Sequence, residues 1–305
     1  MRILLLFLLI ILIVLTFKNT IFSQCINIEH KPSNVSVSFN GTFIVNSPSK
    51  TSRVNSENGT FWCEYDIGQV SDEMRELKNF RFYRDNRLLF TLEQAPGSDI
   101  YISNSGICAF MDLTHHYKSE VKIHFYSNSG QHLFSETLLG ASLFGFSIKG
   151  NKFGVGNAKY LKIVSIPDHH IETFEGGYQF DISEDENLVA VAMRGKVRVY
   201  RKSKLLKEFT TDFIHTRKIK VSENHNFLVV IDKKHLKVFS LSNGEMLFED
   251  RLKGKNSFRD LILNEGMILT GVHYRNAGVS KGILKIYDVQ GKVILEKEES
   301  VKQFN

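Results

Sequence analysis

The chain has 305 residues, 42% of them hydrophobic and 24% charged, an ordinary globular composition with ample length for a large core. Only 4 prolines stand against 24 phenylalanines, which excludes long disordered linkers. The formal charge of +6 falls to about +4 without Arg2 and Lys18, so no nucleic-acid partner is expected.

Arg2 precedes Ile3–Phe17, an unbroken apolar run of 15 residues closed by Lys18-Asn19-Thr20. A secretory core takes about 7–15 apolar residues and a transmembrane helix about 20. Residues 1–23 are therefore expected to be a signal peptide, cut after Ser23, or an N-terminal membrane anchor. Cys25 leaves a lipoprotein reading open, although Gln24 before it suits a lipobox poorly. All three place the remaining chain outside the cytoplasm, secreted or periplasmic, with residues 3–17 as its one contact with a membrane.

After an N-terminal segment (24–34), Val35–Phe39 and Thr42–Val45, joined by Asn40-Gly41, alternate like the first two strands of a unit. Residues 47–78 are expected as an insertion, with a strand over Thr60–Tyr65 and a short amphipathic helix over Ser71–Asn79. Then a phrase begins to recur. Its worn first copy is Phe80-Arg81-Phe82-Tyr83; fuller copies occupy 121–126, 160–165, 196–201, 235–240 and 283–288. Matching Tyr83, Tyr126, Val164, Tyr200, Phe239 and Tyr287 gives steps of 43, 38, 36, 39 and 48 residues. A period near forty made of strands is the signature of a β-propeller.

Each unit shows one grammar. Around 178–209, Tyr178–Ile182 alternates at period 2, and Ser183–Asn187 is a polar turn. Leu188–Met193 is a continuous apolar run that should be buried on both faces. Arg194-Gly195 turns into the recurring phrase, and Leu205–Phe209 follows as a more polar edge. Lys218–Val221, Phe227–Ile231 and His235–Ser240 repeat it, with a tight turn at Ser242-Asn243-Gly244. In the last unit a long loop, Tyr274–Gly282, is expected between Met267–Val272 and Ile283–Asp288. Ile100–Ser103, Ile107–Met111 and Val121–Tyr126 form a looser earlier unit, with His115-His116 in a loop; Phe144–Ile148, Phe153–Gly156 and Lys159–Ser165 form another. Six units are counted, and the front segment leaves a seventh arguable. The propeller spans 35–297, and 298–305 are a tail.

Ser183–Leu188 with Val197–Tyr200, Ser222–Phe227 with Leu236–Phe239, and Leu284–Gly291 resemble WD40-like repeats, and more loosely YVTN and PQQ-like propeller repeats, over roughly residues 80–297. Neither a Gly-His dipeptide nor a closing Trp-Asp occurs, and Trp62 is the one tryptophan. The resemblance implies an all-β fold, a propeller of four-stranded antiparallel blades, that works as a binding platform.

Cys63 and Cys108 are either a disulfide pair or two buried thiols, and no Cys/His spacing suggests zinc. His115-His116 and His169-His170 are adjacent pairs whose side chains diverge on a strand, so no metal is expected. Gly154-Val155-Gly156 lacks a following helix, so it reads as close backbone approach rather than a cofactor loop. Arg194, Lys196, Arg198, Arg201, Lys202, Lys204, Arg217 and Lys218 form a candidate patch for an anionic partner, or else protect strand edges. Asn34-Val35-Ser36, Asn40-Gly41-Thr42 and Asn58-Gly59-Thr60 are glycan acceptor triplets. No GxSxG elbow is present. The expectation is a monomeric, extracytoplasmic, non-enzymatic propeller that binds a protein or envelope partner without a cofactor. The alternative is a glycan hydrolase using carboxylates such as Asp112, Asp181 and Glu223.

Overall fold

A computed structural model describes residues 35–37, 43–45, 51–56, 58–69, 75–112, 120–139, 142–264, 266–276 and 279–300. The leader, the segment 24–34 and His115-His116 lie outside them, as does the tail beyond Ser300. Every regular element among the described residues is a strand.

β1 (Val35–Val37) and β2 (Phe43–Val45) pair only with each other, in register Val35↔Val45. The remaining strands form six four-stranded antiparallel sheets in sequential order. The first holds β3 (Thr51–Asn55), β4 (Phe61–Gln69), β5 (Arg75–Arg84) and β6 (Arg87–Gln94). The second holds β7 (Asp99–Ile102), β8 (Cys108–Asp112), β9 (Glu120–Tyr126) and β10 (His132–Leu139). The third holds β11 (Leu143–Phe146), β12 (Lys152–Gly156), β13 (Tyr160–Ser165) and β14 (Ile171–Glu175). The fourth holds β15 (Gln179–Ile182), β16 (Leu188–Met193), β17 (Lys196–Arg201) and β18 (Lys204–Thr210). The fifth holds β19 (Lys218–Ser222), β20 (Phe227–Ile231), β21 (His235–Ser240) and β22 (Met246–Arg251). The sixth holds β23 (Ser257–Asn264), β24 (Met267–Asn276), β25 (Val279–Tyr287) and β26 (Val293–Ser300). The chain divides into two compact units, one ending at Leu139 with the first two blades and one from Gly140 with the other four.

The recurring phrase is the third strand of every blade, as its spacing implies. The all-β class and six blades agree with the expectation; among the described residues no seventh blade arises, because β3 and β4 complete the first blade without the front hairpin. Three expectations are corrected. Residues expected as an insertion at 47–78 supply β3, β4 and the start of β5. The helix expected over Ser71–Asn79 is strand from Arg75 onward, and 71–74 lie outside the described residues. A bulge explains the misreading. The register shifts opposite Glu64/Asp66, with Asn79 at φ 50°. The extra residue puts buried Leu77 and Phe80 three apart, a helical spacing in a strand. The long loop expected at 274–282 is instead a hairpin, since β24 and β25 stay paired out to Asn276↔Val279. β26 likewise runs past 297 to Ser300.

The second unit's core obeys period 2. In β16 all six residues are buried. Leu188, Ala190 and Ala192 join Ile219, Val221, Leu228 and Val230 of the fifth blade. Val189, Val191 and Met193 join Leu161, Ile163 and Phe174 of the third. β20 does the same, sending Leu228 and Val230 toward the fourth blade and Phe227, Val229 and Ile231 toward Phe258, Leu261 and Ile268 of the sixth. Each such side chain contributes on the order of 1.5–3 kcal/mol.

Adjacent blades also lock through glycines. Gly130, Gly244 and Gly291 close the turns before β10, β22 and β26, with φ of 81°, 85° and 85°. Each lies against the outer strand of the preceding blade, at Phe90, Lys207 and Phe248 respectively. A Cβ on Gly291 would stand 2.5 Å from the Phe248 ring.

Two stability predictions follow from this packing. Val199→Asp or Val229→Asp puts an unpaired carboxylate at a position with 0% exposure, so each variant should lose its cooperative melt by circular dichroism; a soluble variant melting like the parent would refute the register. Gly291→Ala should cost about 1–3 kcal/mol in urea unfolding. In a Phe248→Ala background the loss should shrink toward the positive-φ strain alone, about 1 kcal/mol.

Candidate functional site

One turn recurs between the first and second strands of the blades. A serine ends or follows the first strand at Ser56, Ser103, Ser147, Ser183 and Ser222, and all five are buried. In the first four blades its Oγ accepts from the backbone N–H at the start of the second strand: Phe61 (3.0 Å), Ile107 (2.9 Å), Lys152 (3.1 Å) and Leu188 (2.9 Å). Three residues after each of these four serines, a left-handed residue donates its N–H back to the serine carbonyl. That residue is Gly59, Gly106 or Gly150 in three blades, but Glu186 (φ 66°) in the fourth.

Glu186 reaches across to the matching turn of the third blade. Its Oε1 accepts from Ser147 Oγ (2.5 Å) and Asn151 N (3.2 Å), and Oε2 from Asn151 Nδ2 (3.4 Å). Its carbonyl accepts from Lys152 Nζ (2.8 Å). The same junction breaks the glycine rule at the other turn. Before β18 the turn is Lys202-Ser203, at φ 46° and 59°, with no glycine. Ser203 Oγ donates to Glu172 Oε1 (2.9 Å) on the third blade's outer strand, at the place where the first-to-second and fifth-to-sixth junctions press a glycine onto Phe90 and Phe248. The result is a cleft of about 490 Å³ between the third and fourth blades, with Ile163, Lys152, Asp168, His170, Glu172 and Lys202 among its lining. A hydrogen bond from Ser165 holds the Asp168 carboxyl below its ordinary value, and Asp168 and the exposed Lys202 both line the cleft.

The predicted basic patch is divided by the structure. Arg198 pairs with Glu175 and with Glu208 (2.7 Å), and Lys196 shares Glu208 (3.1 Å). Arg201 pairs with Glu223, Lys218 with Asp260 (2.9 Å), and Arg217 donates to the Phe258 carbonyl (2.7 Å). Most of these bonds tie one blade to the next. Arg194, Lys202 and Lys204 remain exposed, with no ion pair among the described residues. Lys202 and Lys204 lead into a third feature that the sequence did not single out. Leu205 and Leu206 are 54% and 43% exposed at the start of β18. Met246-Leu247 and Val293-Ile294 repeat this on the next two outer strands. Leu205, Met246 and Val293 lie opposite Tyr200, Phe239 and Tyr287, each at a bulge. Aligning the residues five to seven after each recurring aromatic would have found this row.

Two of the candidate acids, Asp181 and Glu223, are engaged across the junction of the fourth and fifth blades. Asp181 has both oxygens engaged, by Lys220 Nζ (2.9 Å) and the Val221 amide (2.9 Å). Burial and neighbouring Asp185 raise Glu223 above its ordinary value, against the opposing Arg201. Cys63 and Cys108 stand as free thiols, both fully buried in one cluster. Burial pushes both thiols well up, and each is far from a reactive thiolate at neutral pH. His169 and His170 are exposed, and His170 lines the cleft. Gly154 and Gly156 lie in β12, where a Cβ would collide with the Phe180 ring (2.2 Å) and the Tyr160 carbonyl (2.4 Å). Among the described residues no group of three or more His, Cys, Asp or Glu side chains is placed to hold a metal ion.

No family model matches the chain, and no curated protein sequence matches it. Its likeness is to solved structures. The C-terminal WD40 domain of Sif2 is 13% identical with a TM-score of 0.54, covering 84% of this chain and 69% of that one. Hsv2p of Kluyveromyces lactis is 13% identical with a TM-score of 0.52, covering 78% and 73%. A hydrazine synthase structure from Kuenenia stuttgartiensis is 14% identical with a TM-score of 0.48, and the chain spans 64% of its length. With six four-stranded antiparallel sheets in sequential order, the first two likenesses identify the fold as a six-bladed, WD40-like β-propeller.

The glutamate in the glycine place carries its own test. Glu186→Ala should lower the free energy of unfolding by about 1–3 kcal/mol through the lost blade-to-blade bonds. Glu186→Gly should recover about 1 kcal/mol of that, because a φ of 66° no longer burdens a side chain. Equal denaturation midpoints for the two variants would refute the strain argument.

Proposed function

We propose that this propeller is a non-enzymatic binding platform, held outside the cytoplasm, that contacts a protein of the cell envelope. The observation that carries the reading is the rim beside the cleft. There Lys202 and Lys204 have no ion pair among the described residues, Leu205 and Leu206 are exposed, and the Lys202-Ser203 turn is held in a left-handed conformation without glycine. Unpaired cations next to exposed leucines favour a partner segment with carboxylates and apolar side chains. The blade-to-blade bonds of Glu186 and Ser203 hold this rim in place before binding, which lowers the ordering cost. Extracytoplasmic placement rests on Arg2 followed by the apolar run Ile3–Phe17. For the hydrolase alternative, the carboxylate of Asp181 serves as a tie between blades, held by Lys220 and the Val221 amide of the fifth blade.

The test is crosslinking and pull-down from the native envelope with the full chain and a Lys204→Glu/Leu205→Ser variant. Both positions are exposed, so the variant should melt like the parent and yet lose the crosslinked protein, with affinity reduced about 30-fold or more if these residues are hot spots. An identical set of captured proteins would overturn the assignment of this rim.

A further inference from the structure

We propose that Asn58 is an N-linked glycosylation site, carrying a glycan on the turn between the first and second strands of the first blade. Three acceptor triplets occur in the sequence, and Asn34 and Asn40 lie outside the described residues. Asn58 stands on an exposed turn between β3 and β4. Its Oδ1 accepts from Ser56 Oγ (2.8 Å) and from the Thr60 amide (3.1 Å). Its backbone N–H donates to Asn104 Oδ1 (2.9 Å), which fixes the turn against the matching turn of the second blade. The side-chain nitrogen Nδ2, the atom that would carry the sugar, makes no hydrogen bond among the described residues. Next to it Gly59, at φ 72°, faces open space, with nothing within 4 Å of where a Cβ would stand. The folded turn therefore has room for a bulky polar substituent on Nδ2 that breaks no bond and covers no core residue.

The chemistry is a glycosyl transfer from a polyprenyl-diphosphate-linked oligosaccharide. Nδ2 forms a bond to the anomeric carbon as the carbon–oxygen bond to diphosphate breaks. The diphosphate leaves with that electron pair, Nδ2 loses one proton, and nothing is oxidised or reduced. Thr60 is the acceptor hydroxyl residue two positions on. The inference rests on the extracytoplasmic placement proposed above, because the donor is met in a secretory lumen. It is independent of the Lys204–Leu205 rim, which lies on another blade.

The experiment expresses the full chain with its own leader in a eukaryotic secretory host. Medium, lumenal and cytosolic fractions are collected, and the Asn58 peptide is mapped by mass spectrometry before and after enzymatic deglycosylation. The expected result is a glycan on Asn58 in the secreted or lumenal chain. It should be lost in Asn58→Gln and Thr60→Ala and kept in Thr60→Ser. The two Thr60 variants both leave the Asn58 side chain in place, so their contrast separates glycan loss from misfolding. A secreted chain with Asn58 unmodified, or with sugar only on Asn34 or Asn40, overturns the inference and leaves the placement standing. A chain confined to the cytosol overturns both.

Discussion

The constraint on which the second unit depends is that its blades' second strands are buried on both faces. No four-stranded sheet supplies cover for both sides of Leu188–Met193 or Phe227–Ile231, so each blade is stable only between neighbours. Alternate residues of β16 belong to two different clusters, one shared with the third blade and one with the fifth. Spacing between blades is therefore set by side-chain volume, and the turns at the blade ends inherit that spacing. A rim of this kind presents loops at fixed separation without any loop being rigid by itself.

Polar chemistry in this unit follows from the same need to join blades. Asp181, Glu186, Lys218 and Arg217 each bond to a neighbouring blade. Exposed ion pairs are worth little in stability, about 0–1 kcal/mol, so their weight lies in orientation. Cross-blade bonds fix how one sheet's turn meets the next sheet's outer strand. The third-to-fourth junction shows the effect of changing the parts. Glutamate replaces glycine at one turn, Lys-Ser replaces a glycine turn at the other, and Glu172 stands where an aromatic ring packs elsewhere. Polar contacts hold the edges together while leaving the middle open.

The recurring strand was legible because buried Val, Ile and aromatic residues alternate in it with little interruption, as in Lys196–Arg201 and His235–Ser240. The first blade was not, and the reason is local. The bulge at Asn79 shifts the alternation by one residue, so a ten-residue strand carries a helical spacing. The hairpin of β24 and β25 was mistaken for a loop because its end holds Asn, Ala and Gly where other hairpins have already turned. Charge was the least legible property. Ten basic residues within 194–220 look like one surface in the sequence, but seven of them meet acids or carbonyls that arrive from 10 to 42 positions away.

By itself the sequence determined the strand order within a blade, the period, the class of fold and the identity of the doubly buried strands. Those properties depend on the two-residue repeat and on a burial pattern that every blade repeats. Tertiary structure alone decided which charges are free, which turn opens into a cleft, that Asp181 is engaged, and that Asn58 keeps its amide nitrogen clear. Each of these depends on a partner brought in by the neighbouring strand, turn or blade, and no spacing along the chain encodes how two side chains from different repeats meet.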